Sequence, residues 1–378
     1  MITNKLGFGL MRLPLCSTEQ TDIDMEQFKK MVDLFLERGF TYFDTSYVYH
    51  NGESENAIRK ALTERHDRNA YQLASKFPTF LNIQDGDKIE AVFQEQLDKC
   101  GVTYFDYYLL HSLKRDAVKQ AEATGLFQCA KVWKANGKIH HLGLSWHDSA
   151  AELDKVLADH PEIEFVQIVI NYYDWEEPII QSKACYEVIR QHGCEVIAME
   201  PIKGGMLAEV PAAAEERMKQ LHPELSPAAW ALRFAANLDG MITVLSGMST
   251  LEQVEDNTAS LRAFSSLDEN ERAAYAVVVE AYRGNWKIQC SDWEKMDAVA
   301  PNHVPISAII RLYNSCLLQP NPAFTADLNY YYLFKDNYGC DDFESWDYAS
   351  CTDALGGELD VNAAMKEATD FLLKYSFK

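Results

Sequence analysis

Four side chains in the first third of the sequence could together protonate a carbonyl oxygen: Asp44, Tyr49, Lys76 and His111. A tyrosine with its ordinary pKa near 10 is a poor proton donor at neutral pH. A neighbouring ammonium favours the phenolate and lowers that pKa. Lys76 could supply the ammonium, and Asp44 could hold it charged and in place. His111 at the same mouth could orient the carbonyl oxygen or share the proton. Such a group suits a reduction in which hydride reaches the carbonyl carbon as the oxygen is protonated. Singly, each residue has an ordinary alternative: one of nineteen tyrosines, a solvated loop lysine, a satisfied core histidine. The set becomes informative through the elements that carry it.

Short apolar runs alternate with amphipathic stretches as far as residue 262 or so. The runs are Leu6–Met11, Tyr42–Ser46, Tyr71–Phe77, Phe105–His111, Ile139–Trp146, Phe165–Asn171, Glu195–Pro201 and Ile242–Met248. They are short and often β-branched or aromatic, which reads as strand. Helical patterns fill the intervals: Met25–Gly39, Glu53–Glu64, Lys88–Lys99, Ser149–Asp159, Glu177–His192 and Leu251–Ala263. In the first, Phe28, Met31, Val32, Phe35 and Leu36 form one stripe, with Asp24 as N-cap and Gly39 as the stop. Strands that alternate with helices make a parallel sheet. This number of them, with no G-x-G-x-x-G after the first strand, favours an α/β fold of the (β/α)8 TIM-barrel kind over an open doubly wound sheet. Asp44, Lys76 and His111 then stand at the ends of three successive strands, with Tyr49 just beyond the first of them. In a barrel that is where chemistry sits.

These four residues, in order, spacing and strand context, resemble the catalytic tetrad of the aldo-keto reductases. Other segments carry the same resemblance over about residues 5–262: Gly7–Pro14 (GFGLMRLP), Gly137–His147 (GKIHHLGLSWH), Val166–Asn171 (VQIVIN), Glu200–Gly205 (EPIKGG) and Ser246–Asn257 (SGMSTLEQVEDN). The resemblance implies a barrel that binds NAD(P)H across its mouth without a glycine-rich fingerprint. It implies that Ser145 and Gln167 hold the nicotinamide carboxamide, while Trp146 stands where many members have asparagine. Met199 replaces a tyrosine that stacks on the nicotinamide; a thioether can also pack on a ring face. Gly9, Leu10 and Met11 match the loop under the cofactor. Lys203, Gly204 and Gly205, after Pro201, match the loop over the pyrophosphate. Gly247, Ser249, Gln253 and Asn257 are further candidate cofactor contacts. In many members a lysine and an arginine grip the 2′-phosphate of NADPH at the positions of Gly247 and Gln253. Ser246–Asn257 contains no Lys or Arg but has Glu252, Glu255 and Asp256, so NADH is favoured.

After residue 265 the alternation stops. The tail reads as helical, with stretches at Asp268–Tyr282, Pro305–Leu317 and Val361–Tyr375 and an aromatic run at Asn329–Phe334. The expected organisation is a barrel over 1–265 and a helical C-terminal domain over 266–378. One branch of the family carries a ferredoxin-like appendage with two runs of the form C-x2-C-x2-C-x3-C-P, which hold two four-iron clusters. Here the first run falls on Cys290, Trp293, Met296 and Ala300, followed by Pro301. The second falls on Cys351, Ala354, Gly357 and Val361, followed by Asn362. Each cluster would keep one thiolate where four are needed. The segment therefore resembles a degenerate ferredoxin-like domain, with no iron–sulfur cluster and no metal expected, and with Trp293, Met296 and Val361 filling an apolar centre. Cys316 and Cys340 do not complete a ligand spacing.

Composition limits the function classes. Lys+Arg number 35 against 57 Asp+Glu, a formal charge of −22. Nucleic acid and anionic membranes recruit basic faces, so neither is expected as a partner. No apolar run is long enough for a membrane span. The N-terminus lacks a secretory h-region, and the nine scattered cysteines contain no C-x-x-C pair; both fit a cytoplasmic protein with reduced thiols. The expected function is an NAD(P)H-dependent oxidoreductase acting on a small aldehyde, ketone, sugar or alcohol. The competing one is a nicotinamide-binding sensor or partner-docking subunit, which has no need of a complete tetrad.

Overall fold

The computed structural model describes residues 2–81, 83 and 86–376. Eight strands lie close to the expected spans: β1 (Leu6–Gly9), β2 (Tyr42–Asp44), β3 (Gln72–Phe77), β4 (Phe105–Leu113), β5 (Ile139–Trp146), β6 (Phe165–Val169), β7 (Glu195–Met199) and β8 (Met241–Gly247). Each pairs in parallel with the next, and β8 returns to β1 through Leu6↔Val244 and Gly9↔Gly247, which closes a (β/α)8 barrel. A two-residue antiparallel pair, Ile2–Thr3 with Ala263–Phe264, lies outside it.

Two apolar layers follow from strand alternation. Outward residues such as Phe8 and Phe43 meet the helices. Phe28 and Phe35 of the helix Met25–Glu37 pack edge-on to Phe8 at 6.0 and 5.4 Å. That helix starts where Asp24 accepts a hydrogen bond from the Gln27 N–H, and Gly39 ends it with φ +88°. Inward residues form a second cluster: Tyr42, Ala74, Leu109, Phe165, Ile197 and Leu245. The Phe165 ring lies so close to Gly143 that a Cβ there would stand 2.5 Å from it. A side chain at 143 would compete with that ring for the barrel interior.

The chain divides into two compact units: 1–175, 182–202 and 224–268 form the barrel, and 176–181, 203–223 and 269–378 form a helical unit. The first unit runs to residue 268, and two inner stretches, 176–181 and 203–223, belong with the tail. Glu177 accepts from Arg283 (3.0 Å) and Arg311 (2.6 Å). The Tyr282 hydroxyl donates to the carbonyls of Met206 and Glu209. This corrects the expected helix at Glu177–His192. The helix is Ser182–Gln191, because Glu177 is drawn into a turn by two arginines from far along the chain. Helices at Arg115–Ala123, Leu126–Ala135, Ala212–Leu221 and Pro227–Ala236 were not singled out in the sequence.

The helical unit contains Glu269–Arg283, Trp293–Ala298, Ser307–Leu318, Tyr330–Tyr338, Ala349–Ala354 and Val361–Tyr375. Its apolar centre differs from expectation at one residue. Met296, Cys351 and Val361 are fully buried, but Trp293 is only half-buried and stands edge-on to Trp286 at 5.9 Å. Met296 faces inward from a short helix capped by Asp292, while Trp293 is the first residue of that helix. Among the described residues no group of three or more His, Cys, Asp or Glu is arranged to hold a metal ion. No helix there is long and apolar enough to cross a membrane.

Met296→Ala should therefore destabilise the protein by about 2–5 kcal/mol, and Trp293→Ala by clearly less. Urea denaturation followed by far-UV circular dichroism measures both. A larger loss for Trp293→Ala would contradict this packing.

Candidate active site

The residues that line the barrel mouth stand two positions beyond its inner layer. Asp44 follows Tyr42, Lys76 follows Ala74, His111 follows Leu109, Gln167 follows Phe165, Met199 follows Ile197 and Gly247 follows Leu245. Gly9 and Ser145 stand likewise beyond Gly7 and Gly143. Since every strand is parallel, this tier is a single rim at the carboxyl ends. Gly9 is in register with both Asp44 and Gly247, and Ser145 with Gln167.

Lys76 is fully buried. Its ammonium donates to Asp44 Oδ1 and to the Thr45 carbonyl (2.8 Å) and lies 4.9 Å from the centre of the Tyr49 ring. Burial opposes the Lys76 charge, but Asp44 and then Tyr49 outweigh it and hold the pKa above its ordinary value. Burial also pushes the Asp44 carboxyl up, with Lys76 pulling the other way. Taking an ion out of water costs several kcal/mol, which the two hydrogen bonds offset. Tyr49 opens a turn whose next two residues, His50 and Asn51, have φ of +53° each. The buried His50 ring fixes that turn. Its Nε2 accepts from the Leu13 N–H (3.1 Å), and its Nδ1 lies 2.8 Å from the Gln20 carbonyl.

The Tyr49 pKa corrects the sequence reading. Burial raises it, and the nearby Lys76 ammonium lowers it by less, so the net shift is upward. The phenol keeps its proton at neutral pH and is a hydrogen-bond donor. His111 meets the Tyr49 ring edge-on at 5.8 Å, and its Nδ1 lies 3.0 Å from Ser46 Oγ. Burial, with Lys76 and His147 nearby, holds its pKa well below the ordinary value, so the ring is neutral. The tautomer in which Nδ1 accepts from the Ser46 hydroxyl carries its ring proton on Nε2. Phe80, half exposed, stacks edge-on to His111 at 5.6 Å. Phe80, His50 and Ser46 carried no spacing signal of their own.

The candidate cofactor contacts fall into three groups. Ser145 and Gln167 are buried side by side. The Gln167 amide nitrogen lies 3.5 Å from the Met199 sulfur, and its Oε1 has no hydrogen-bond partner among the described residues. A buried acceptor left open at the rim fits a ligand amide. At the β1–β8 seam, Gly9 and Leu10 are buried and Met11 is exposed. Ser249 Oγ donates to the Arg12 carbonyl (2.8 Å), the Ser249 N–H donates to Gln253 Oε1 (2.7 Å), and Asn257 is buried with its amide on Ser246 Oγ (2.9 Å). The Arg12 side chain lies over Gly247, within 3.2–3.3 Å of where a Cβ would stand. Arg12 is adjacent to Met11 in the GFGLMRLP segment, which is the signal that could have found it.

Pro201 belongs to the barrel unit, whereas Lys203, Gly204 and Gly205 belong to the helical one. These three have φ of +46°, +63° and +100°, a left-handed run that glycine favours. The Lys203 ammonium, read from sequence as a phosphate ligand, is instead held by both oxygens of Asp327 (2.9 and 2.8 Å), which also accepts from Ser315 Oγ.

Comparison with known proteins agrees with the barrel. The Aldo/keto reductase family profile matches residues 5–276. The uncharacterized oxidoreductase YqkF of Bacillus subtilis is 21% identical over 301 residues, covering 71% of this chain and 91% of that protein. L-galactose dehydrogenase of Arabidopsis thaliana is 22% identical over 250 residues, covering 61% and 76%. Among solved structures, an aldo-keto reductase from Klebsiella pneumoniae in complex with NADPH superposes with a TM-score of 0.56 at 19% identity, covering 73% of this chain and 91% of that one. The holo form of AKR11C1 from Bacillus halodurans does so with 0.56 at 24%, covering 72% and 91%. With its family profile matched across the barrel, this chain belongs to the aldo/keto reductase family and is an oxidoreductase of that family.

Proposed function

We propose that the protein reduces the carbonyl of an aldehyde, ketone or sugar, or oxidises the corresponding alcohol, with a nicotinamide cofactor. The observation that carries this reading is Tyr49, protonated and held between the buried Lys76–Asp44 pair and a neutral His111. The bound cofactor would supply hydride to the carbonyl carbon. Tyr49 donates its proton to the carbonyl oxygen, and Lys76 stabilises the phenolate left behind. Asp44 keeps the lysine charged and fixed. The His111 Nε2–H steers the oxygen toward the phenol. In the reverse direction the same atoms take the proton from an alcohol. Ser145 and Gln167 would hold the carboxamide, with Met199 beside them, and Gly9 and Gly247 give the seam a bare backbone that a nucleotide can approach.

NADH is the favoured cofactor because Ser246–Asn257 supplies three carboxylates and no cation. Arg12, lying over Gly247, is a nearby cation on β1's side of the seam that a 2′-phosphate could recruit. We read residues 266–378 as the degenerate ferredoxin-like domain; the burial of Met296, Ala300, Cys351 and Val361 at the former ligand positions supports this. No cluster has a part in the proposed reaction.

Tyr49→Phe should lower turnover about 10²–10⁴-fold while cofactor affinity, read by fluorescence titration, stays near wild type; near-normal turnover would remove Tyr49 as the acid. The pH dependence follows from the shifts. The acid must be protonated, and burial lifts Tyr49 above its ordinary value, so kcat/KM for reduction should stay level from neutral pH to about 10. An alkaline limb centred near pH 8 would contradict it. Dissociation constants should favour NADH over NADPH. Clearly tighter NADPH, lost in Arg12→Ala, would overturn that preference.

A further inference from the structure

His147 lies just past the end of β5, and none of the roles above uses it. Its neighbour Trp146 is buried with the indole N–H on the Ser149 carbonyl (3.2 Å), so residue 146 directs no polar group to the mouth. Strand alternation turns His147 back to the side of Ser145. Its Nε2 lies 3.3 Å from Ser145 Oγ, and its backbone N–H is fixed on the Leu113 carbonyl (3.0 Å). Burial, with Lys114 nearby, lowers its pKa to about 4, so the ring is neutral and has one acceptor nitrogen.

We propose that His147 is a positioning residue for the nicotinamide carboxamide: its Nε2 accepts a hydrogen bond from the Ser145 hydroxyl, which leaves the Ser145 oxygen as an acceptor beside Gln167 Oε1. This rests on the reductase reading above. A primary amide offers two N–H donors. Ser145 and Gln167 stand in register on neighbouring strands, and Gln167 Oε1 is buried without a partner among the described residues. The pair therefore presents two acceptors for the two N–H groups. Without His147 the serine hydroxyl would be free to turn and donate, and half of the match would be lost. A nicotinic-acid analogue has a carboxylate in place of the amide and brings no N–H donors, so two acceptors reject it.

The test measures dissociation constants of the full chain for NADH, the reduced nicotinic-acid analogue and ADP-ribose, which lacks the ring. His147→Leu should weaken NADH binding about 5- to 10-fold, the size of one neutral hydrogen bond. ADP-ribose binding should be unchanged, and discrimination against the nicotinic-acid analogue should shrink. His147→Gln, which retains an acceptor, should recover most of the NADH affinity, and this variant tests the inference if His147→Leu fails to fold. NADH binding that ignores both substitutions would overturn the inference, as would NADH and ADP-ribose weakening in parallel. Wild-type protein that binds none of the nucleotides would sink the reductase reading and this inference with it.

Discussion

In a closed parallel barrel each strand sends alternate side chains into the interior, and every strand ends on the same rim. That constraint places the site. The interior tier of Tyr42, Ala74, Leu109, Phe165, Ile197 and Leu245 is apolar and packed. The tier two residues further on is polar and carries Asp44, Lys76, His111, Ser145 and Gln167. Shifting any of these strands by one residue would turn its site residue out among the helices. The packing of the inner tier is thus what aims the chemistry, and Gly143 contributes by giving the Phe165 ring room.

On that rim the electrostatics are dominated by one buried cation. Lys76 is tolerated without solvent because Asp44 and the Thr45 carbonyl both accept from it. Its field then acts in two directions. It lowers the Tyr49 pKa against a larger effect of burial, and it helps keep His111 neutral. The result is a phenol that keeps its proton and an imidazole that can donate from Nε2. In the proposed reaction, a carbonyl oxygen placed between them would meet two donors backed by a positive charge, the arrangement an incipient alkoxide requires.

Much of this was legible in the sequence. Parallel strands buried on both faces read as apolar runs, so all eight could be found, and the polar residues that end them could be named. What could not be read was tertiary in origin. The sequence showed that a lysine could approach Tyr49, but the sign of the net shift depends on burial, which spacing does not reveal. Lys203 looked available until Asp327, more than a hundred residues later, was found on its ammonium. Glu177 looked like the start of a helix until Arg283 and Arg311 were seen to hold it. Trp293 falls on one position of the ferredoxin-like spacing and is expected to be buried, but it opens its helix and is only half-buried. His147 and Arg12 were visible as letters, but what each touches is set by the fold.

In the proposed reaction this rim would deliver hydride to a carbonyl carbon while Tyr49 protonates the oxygen. The most direct measurement is mass spectrometry of the alcohol formed from a panel of simple carbonyl compounds with reduced cofactor carrying deuterium at both nicotinamide C4 positions, in ordinary water. Wild-type product should carry one deuterium, retained on the carbinol carbon. Tight cofactor binding without label transfer to any carbonyl, or label that washes out into solvent, would contradict it.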